Sequence, residues 1–157
     1  MNLQAVNTAI DDRLRADTGA GGMFAAGVEL VTGLFDNFVS PNQHMPYVVY
    51  TVASATQSDA FNADIIKIMF YVSVYVSKNG NPTAAAQASA ILWRIYGNAM
   101  EVSTRVPSYG LHRHPLVVAG GWTGSLLSRF DSQTQHEENY YHFIEVYQTY
   151  ISRNVVP

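Results

Sequence analysis

Five histidines and ten tyrosines give this 157-residue chain most of its chemical scope. His112 and His114 form an H-x-H pair, and on a strand both imidazoles would share one face. His136, Glu137, Glu138 and His142 add further donors, and two or three histidines with a carboxylate can hold zinc. The local sequence does not require them to converge. His112 and His114 sit in a loop between Gly110 and Pro115, and His136 sits in a turn. Solvated or structural histidines are the expected reading. The chain has no cysteine, which removes disulfides, thiolate metal sites and thiol nucleophiles together.

Covalent catalysis needs an activated nucleophile. The nearest approach is Trp122-Thr123-Gly124-Ser125, which lacks the G-x-S-x-G frame. Glu137 and Glu138 are adjacent, so on a strand they would face opposite ways, and Asp131 belongs to no pattern. No two carboxylates are spaced to shift one another's pKa. The expectation is a protein that is not an enzyme, with no catalytic, metal-binding or cofactor-binding residue.

Tyrosines carry more information. Tyr71, Tyr75, Tyr140, Tyr141, Tyr147 and Tyr150 cluster in two stretches that read as long strands. They can pack across strands within one sheet. They also suit an interface, where an apolar body with a polar tip is favoured. The two readings are compatible, and Tyr71, Tyr75, Tyr140 and Tyr147 are the candidates for a subunit interface.

The elements that must position these side chains start with residues 61–96. From Ile66 to Val76 every second residue is large and apolar, with Lys67, Met69, Tyr71, Ser73 and Tyr75 between them. That period of two predicts a half-buried strand. Lys78-Asn79-Gly80-Asn81-Pro82 supplies a turn, with Asn81 as helix cap and Pro82 as first helical residue. An alanine-rich helix follows to Tyr96, and Gly97-Asn98 stops it. Leu3, Val6, Ile10 and Leu14 predict a first helix of about four turns, with Asp11 and Arg15 paired on its other side. Asp17 to Gly22 ends it. It is not a phosphate loop, because no Lys-Ser/Thr follows the glycines and no strand precedes them. Residues 23–46 read as an irregular loop with at most one short strand, a candidate for reaching another subunit.

Residues 46–52 predict a short strand, joined by a polar loop over residues 54–59 to the long one. Residues 100–124 are rich in Gly, Pro, Ser and His, with room for a short strand at 116–119. Residues 124–130 predict a strand, 131–138 a polar turn, and 140–152 a last strand with apolar residues on both faces. The whole predicts one α+β domain over residues 1–157: an antiparallel or mixed four-to-five-stranded sheet, two main helices on one face, and long irregular loops.

Charged residues make up 13% of the chain, about half the usual share, and the net charge is −3 with nine scattered basic residues. A surface this poor in charge is either rich in neutral polar side chains or partly covered by partners. No cation cluster is present to displace counterions from phosphates, so a nucleic-acid-reading face is not expected. The amphipathic start does not read as a signal peptide, and the apolar stretches are too short to span a membrane. A soluble protein in a reducing compartment is expected.

The layout resembles that of the tail terminator, or tail completion, proteins of long-tailed bacteriophages. A starting helix is followed by the P-Y-V-V-Y strand at residues 46–50. The V-S-V-Y-V-S strand at 72–77 runs into Asn-Gly and the alanine-rich helix, and a polar turn leads to a tyrosine-rich last strand. The likeness covers residues 46–52, 66–98 and 129–151, roughly half the chain, in layout and residue class rather than through a diagnostic motif. Segments 18–45 and 100–124 depart from the shorter members. The resemblance implies a virion protein of the tail or neck, assembled in the host cytoplasm. It implies a homo-oligomeric ring, usually of six copies, that caps the tail tube and stops its elongation. The implied partners are the tail tube protein below and a head connector, stopper or adaptor above. DNA would be passing cargo only, and neither membrane nor cofactor is implied. A head-completion or neck adaptor protein, a tube subunit, and a cytosolic α+β enzyme or ligand-binding domain are the alternatives.

Overall fold

The alternation over residues 66–76 becomes the central strand of the sheet. Ile66, Ile68, Phe70, Val72, Val74 and Val76 are all buried, while the residues between them are half-buried or exposed. The computed structural model describes residues 2–60, 63–97 and 109–154. In chain order the elements are α1 (Leu3–Arg15), β1 (Leu34–Asp36), β2 (Tyr47–Ala60), β3 (Ala63–Ser77), α2 (Ala84–Tyr96), β4 (Pro115–Val118), β5 (Trp122–Leu126), β6 (Ser128–His136) and β7 (Tyr140–Asn154).

The class is α+β, but the sheet has seven strands among the described residues rather than four or five. Its order is β1-β2-β3-β7-β5-β4, with β6 also paired to β7. Two strands are longer than expected. Residues 54–59, expected as a polar loop, continue β2 and pair with β3 as far as Ala60↔Ala63. Residues 131–136, expected as a polar turn, belong to β6 and pair with β7. Both stretches lie at sheet edges, and residues 54–57 and 131–136 have exposed side chains, so alternation carries no signal there. The larger number has two other sources: the strand expected at 124–130 is divided between β5 and β6, and β1 adds a parallel pair to β2 that makes the sheet mixed. The last strand occurs as expected and runs two residues further.

Strands β5 and β6 are one edge interrupted at Leu127. The first pairs with Ser152 and Ile151 of β7, the second with residues 141–148 of the same strand. Leu127 is buried and its backbone leaves the ladder: its N–H donates to the His114 carbonyl at 2.8 Å and its carbonyl accepts from Arg113 N–H at 2.9 Å. The break lets β4 and β5 turn away from β6, and the sheet curls until α1 packs against both terminal strands, β4 and β1.

Each helix has one apolar stripe facing the sheet. On α1 it is Val6, Ile10 and Leu14, and the expected Asp11–Arg15 pair is present at 2.7 Å. On α2 it is Ala84, Ala88, Ile91 and Ile95. Helix α2 begins after Thr83, not at Pro82. Asn81 ties the preceding turn instead, its side-chain amide donating to the Ser77 carbonyl at 3.1 Å and to Gln87 at 2.9 Å. At the other end the chain leaves through Gly97 (φ 87°) and passes Gly110 (φ 88°) so closely that a Cβ on Gly110 would overlap Gly97. That approach lets Leu111 and His112 donate to the last carbonyls of α2, on Ile95 and Tyr96. Of the expected 100–124 segment, residues 100–108 lie outside the described residues, as does Asn98.

Candidate functional site

The side chains singled out in the sequence separate onto two sides of one sheet. Register places Ile66, Phe70, Phe143, Tyr147 and Ile151 on the helix-covered side. Lys67, Tyr71, Tyr75, Tyr140, His142, Val146 and Tyr150 lie on the other, which no element covers among the described residues.

The uncovered face carries a row of rings at one end. Tyr47 and Tyr75 are directly opposed on β2 and β3 and stack at 4.9 Å. Tyr75 stacks on His142 of β7 at 4.2 Å, Phe35 meets Tyr47 edge-on at 6.0 Å, and Tyr140 sits 6.0 Å from Tyr75. Burial among these rings raises the pKa of the Tyr75 hydroxyl, with Tyr47 and Tyr140 adding to it. Burial lowers that of His142, opposed weakly by Glu137, so the imidazole is held neutral. The His142 Nδ1 lies 3.2 Å from Gln135 Oε1. Further along, Tyr71 and Tyr150 are 40% and 47% exposed, and the only formal charges over β2, β3, β7 and β6 on this face are Lys67 and Asp131.

Three of the four interface candidates, Tyr71, Tyr75 and Tyr140, are therefore together on the uncovered face. Tyr147 is not with them. It is fully buried on the helix side, stacked on Phe70 at 5.8 Å, so its side chain offers no surface to a neighbour. Its hydroxyl donates to Glu145 Oε2 at 2.6 Å, and Arg129 donates to Glu145 Oε1 at 3.0 Å. Burial and the neighbouring carboxylate raise the Tyr147 pKa. Glu145 is 2% exposed, with both oxygens engaged. Arg129 in turn lies over the Tyr96 ring at 4.4 Å, and Tyr96 stacks on His112 at 4.5 Å. Glu145, Arg129 and Tyr96 line a groove of about 720 Å³ between α2 and β6–β7, together with the half-exposed Trp93.

A second buried charge, Asp17, binds Arg94 of α2 through both oxygens, with the Arg94 Nε at 2.9 Å, and accepts the Met23 N–H at 2.9 Å. Sequence reasoning passed over both buried acids. Glu145 had a signal, being the one carboxylate among Phe143, Tyr147 and Ile151 on the apolar side of its strand. Asp17 had none, since its partner is far along the chain.

The histidines do not converge. His112 stacks on Tyr96, His114 is buried just ahead of β4, His136 meets Tyr141 edge-on at 5.4 Å, and His142 is on the uncovered face. Among the described residues no three His, Asp or Glu side chains are grouped to hold a metal ion. Ser125 lies in β5, where its hydroxyl accepts the Tyr150 N–H at 3.0 Å and sits 3.2 Å from Thr149. It has no imidazole beside it in these contacts. Among the described residues no helix is long and apolar enough to cross a membrane. Among the described residues the molecule presents a charge-poor aromatic sheet face, sheet edges and a groove.

No family model matches the sequence, and no curated protein matches it. Solved structures do match its fold. One is a chain of the virion of a native gene transfer agent particle, 18% identical with a TM-score of 0.61 over 96% of both chains. Another is 14% identical with a TM-score of 0.56, over the whole of this chain and 99% of the other.

Proposed function

We propose that this protein is a structural component of a phage-like virion, and that it acts as a tail terminator. It forms a ring, of six copies by analogy, at the end of the tail tube, stops elongation there and presents its other surface to a connector, stopper or adaptor of the head. DNA passes through the ring as cargo. Catalysis plays no part in this role. The observation that carries the reading is the end-to-end likeness of fold to a chain of the gene transfer agent virion. The charge-poor, tyrosine-bearing face supports it as a surface made for protein contact. A seven-stranded sheet with two helices on one side is not the β-sandwich expected of a tube subunit, which favours the terminator over the tube reading.

Negative-stain electron microscopy of the concentrated protein, alone and with tail tubes, tests this. Rings with a central hole, or density capping tube ends, are expected. Protein that forms no ring and leaves the length of tubes assembled in its presence unchanged overturns the reading.

A further inference from the structure

The helix layer leaves a gap beside α2. Helix α1 packs on β1 and β4, and α2 packs on β3. On the same side of the sheet Arg129, Ser132 and Thr134 of β6 stay exposed. Strand β6 is two steps from β3, through β7, which is about 10 Å at ~4.8 Å per step. Packed helices lie about 8–10 Å apart. The groove between α2 and β6–β7 is therefore one helix wide. The wall that α2 turns to it is unusual for a surface helix. Ala86, Ser89, Ala90 and Trp93 follow at helical spacing, all exposed, and residues 84–93 carry no charge. Small side chains let a second helix come close, and Trp93 offers an aromatic anchor beside them. Among the described lining residues only Arg129 and Glu145 are charged. Both Glu145 oxygens are taken, by Tyr147 and Arg129, and its side chain is buried. The Arg129 side chain is 40% exposed and lies over the Tyr96 ring, so its guanidinium is held in place and open to the groove.

We propose that this groove receives a helix from a partner protein, apolar along the stripe that meets Ala86, Ala90 and Trp93, and bearing a carboxylate that pairs with Arg129. Width, wall and charge each select that occupant. The gap matches a helix diameter of about 10 Å. The wall carries contacts at i, i+3, i+4 and i+7, the spacing by which helix-in-groove docking is read. The one charge left to face the groove is a cation whose remaining N–H groups suit a carboxylate, and a basic helix would set like charges together. The groove lies on the opposite side of the sheet from the tyrosine-bearing face, so the proposal does not rest on the ring reading.

A display library of α-helical peptides, randomised along one face, is selected against the folded full chain, and the recovered peptides are titrated by fluorescence anisotropy. The expected peptides carry Asp or Glu beside small or apolar residues at i, i+4 spacing. Their affinity should fall roughly tenfold or more on Ala90→Glu, which fills the groove and sets a carboxylate against the peptide's own. It should hold on Ala85→Glu, on an exposed position of α2 that does not line the groove. Changing the peptide's acid to its amide should weaken binding several-fold. Circular dichroism checks that both variants fold. No recovered peptide, equal binding to Ala90→Glu, or indifference to loss of the acid overturns the proposal. Self-association of the unmodified chain that Ala90→Glu abolishes, read by sedimentation, would give the groove to a second copy and overturn it as well.

Discussion

Neighbouring residues of β3 sit in opposite worlds. Phe70 is fully buried, stacked on Tyr147 beneath the helices, whereas Tyr71 is 40% exposed on the bare face one residue later. On the helix side apolar stripes meet, and the two buried acids are bound by Arg94, Arg129 and Tyr147. The bare side has large rings and almost no charge, and no element among the described residues covers it. One strand thus serves the core with its even-numbered residues and turns its odd-numbered ones to the bare face.

Substitutions along that divide should give unequal effects. Phe70→Ala should cost about 3–5 kcal/mol, from lost transfer energy and the cavity left behind, read from urea unfolding. Arg94→Ala should cost nearly as much, about 3–5 kcal/mol, because it strands the buried Asp17 carboxylate. If the exposed Arg15→Ala destabilises as much as Arg94→Ala, the contrast fails, since such a surface pair is worth about 0–1 kcal/mol.

Tyr71→Glu sharpens the comparison from the other side. The monomer should keep its unfolding midpoint and near-ultraviolet circular dichroism, while ring formation falls. A mutant that simply unfolds would put Tyr71 with the core.

The smallest expected effect is a pH dependence. Burial lowers the pKa of His112 and His142 in the folded protein. The unfolded chain therefore binds more protons, and stability rises with pH. This contribution is complete above the unfolded value of about 6.5 and is lost as pH falls below it. The urea midpoint should drop between neutral and mildly acidic pH, and His142→Gln should flatten that slope. An unchanged slope in the variant would exclude His142 as a source.

The parts readable in the sequence were those where burial writes a period. Helix α1, strand β3 and strand β7 each place large apolar residues on a covered face, and their spacing shows it. The distal half of β2 and residues 131–136 of β6 escaped because edge strands can be built from Ser, Thr, Gln and Ala, the same residues that make loops. Tyr147 was misplaced as an interface candidate because β7 is apolar on both faces, and periodicity cannot say which is covered. Of the two buried acids, Glu145 was marked by its place on the apolar side of β7, whereas Asp17 depends on the distant Arg94, which no local pattern encodes.

Helix α1 has one more consequence. By packing on both β1 and β4 it closes two of the places where the sheet would otherwise grow, and among the described residues the outer edges of β2 and β6 stay open. In the language of polymer chemistry a unit with two such ends is bifunctional. Units of functionality two link into linear chains or cycles and cannot branch into a network. In the ring proposed above, loss of α1 packing would raise that functionality and let the assembly branch.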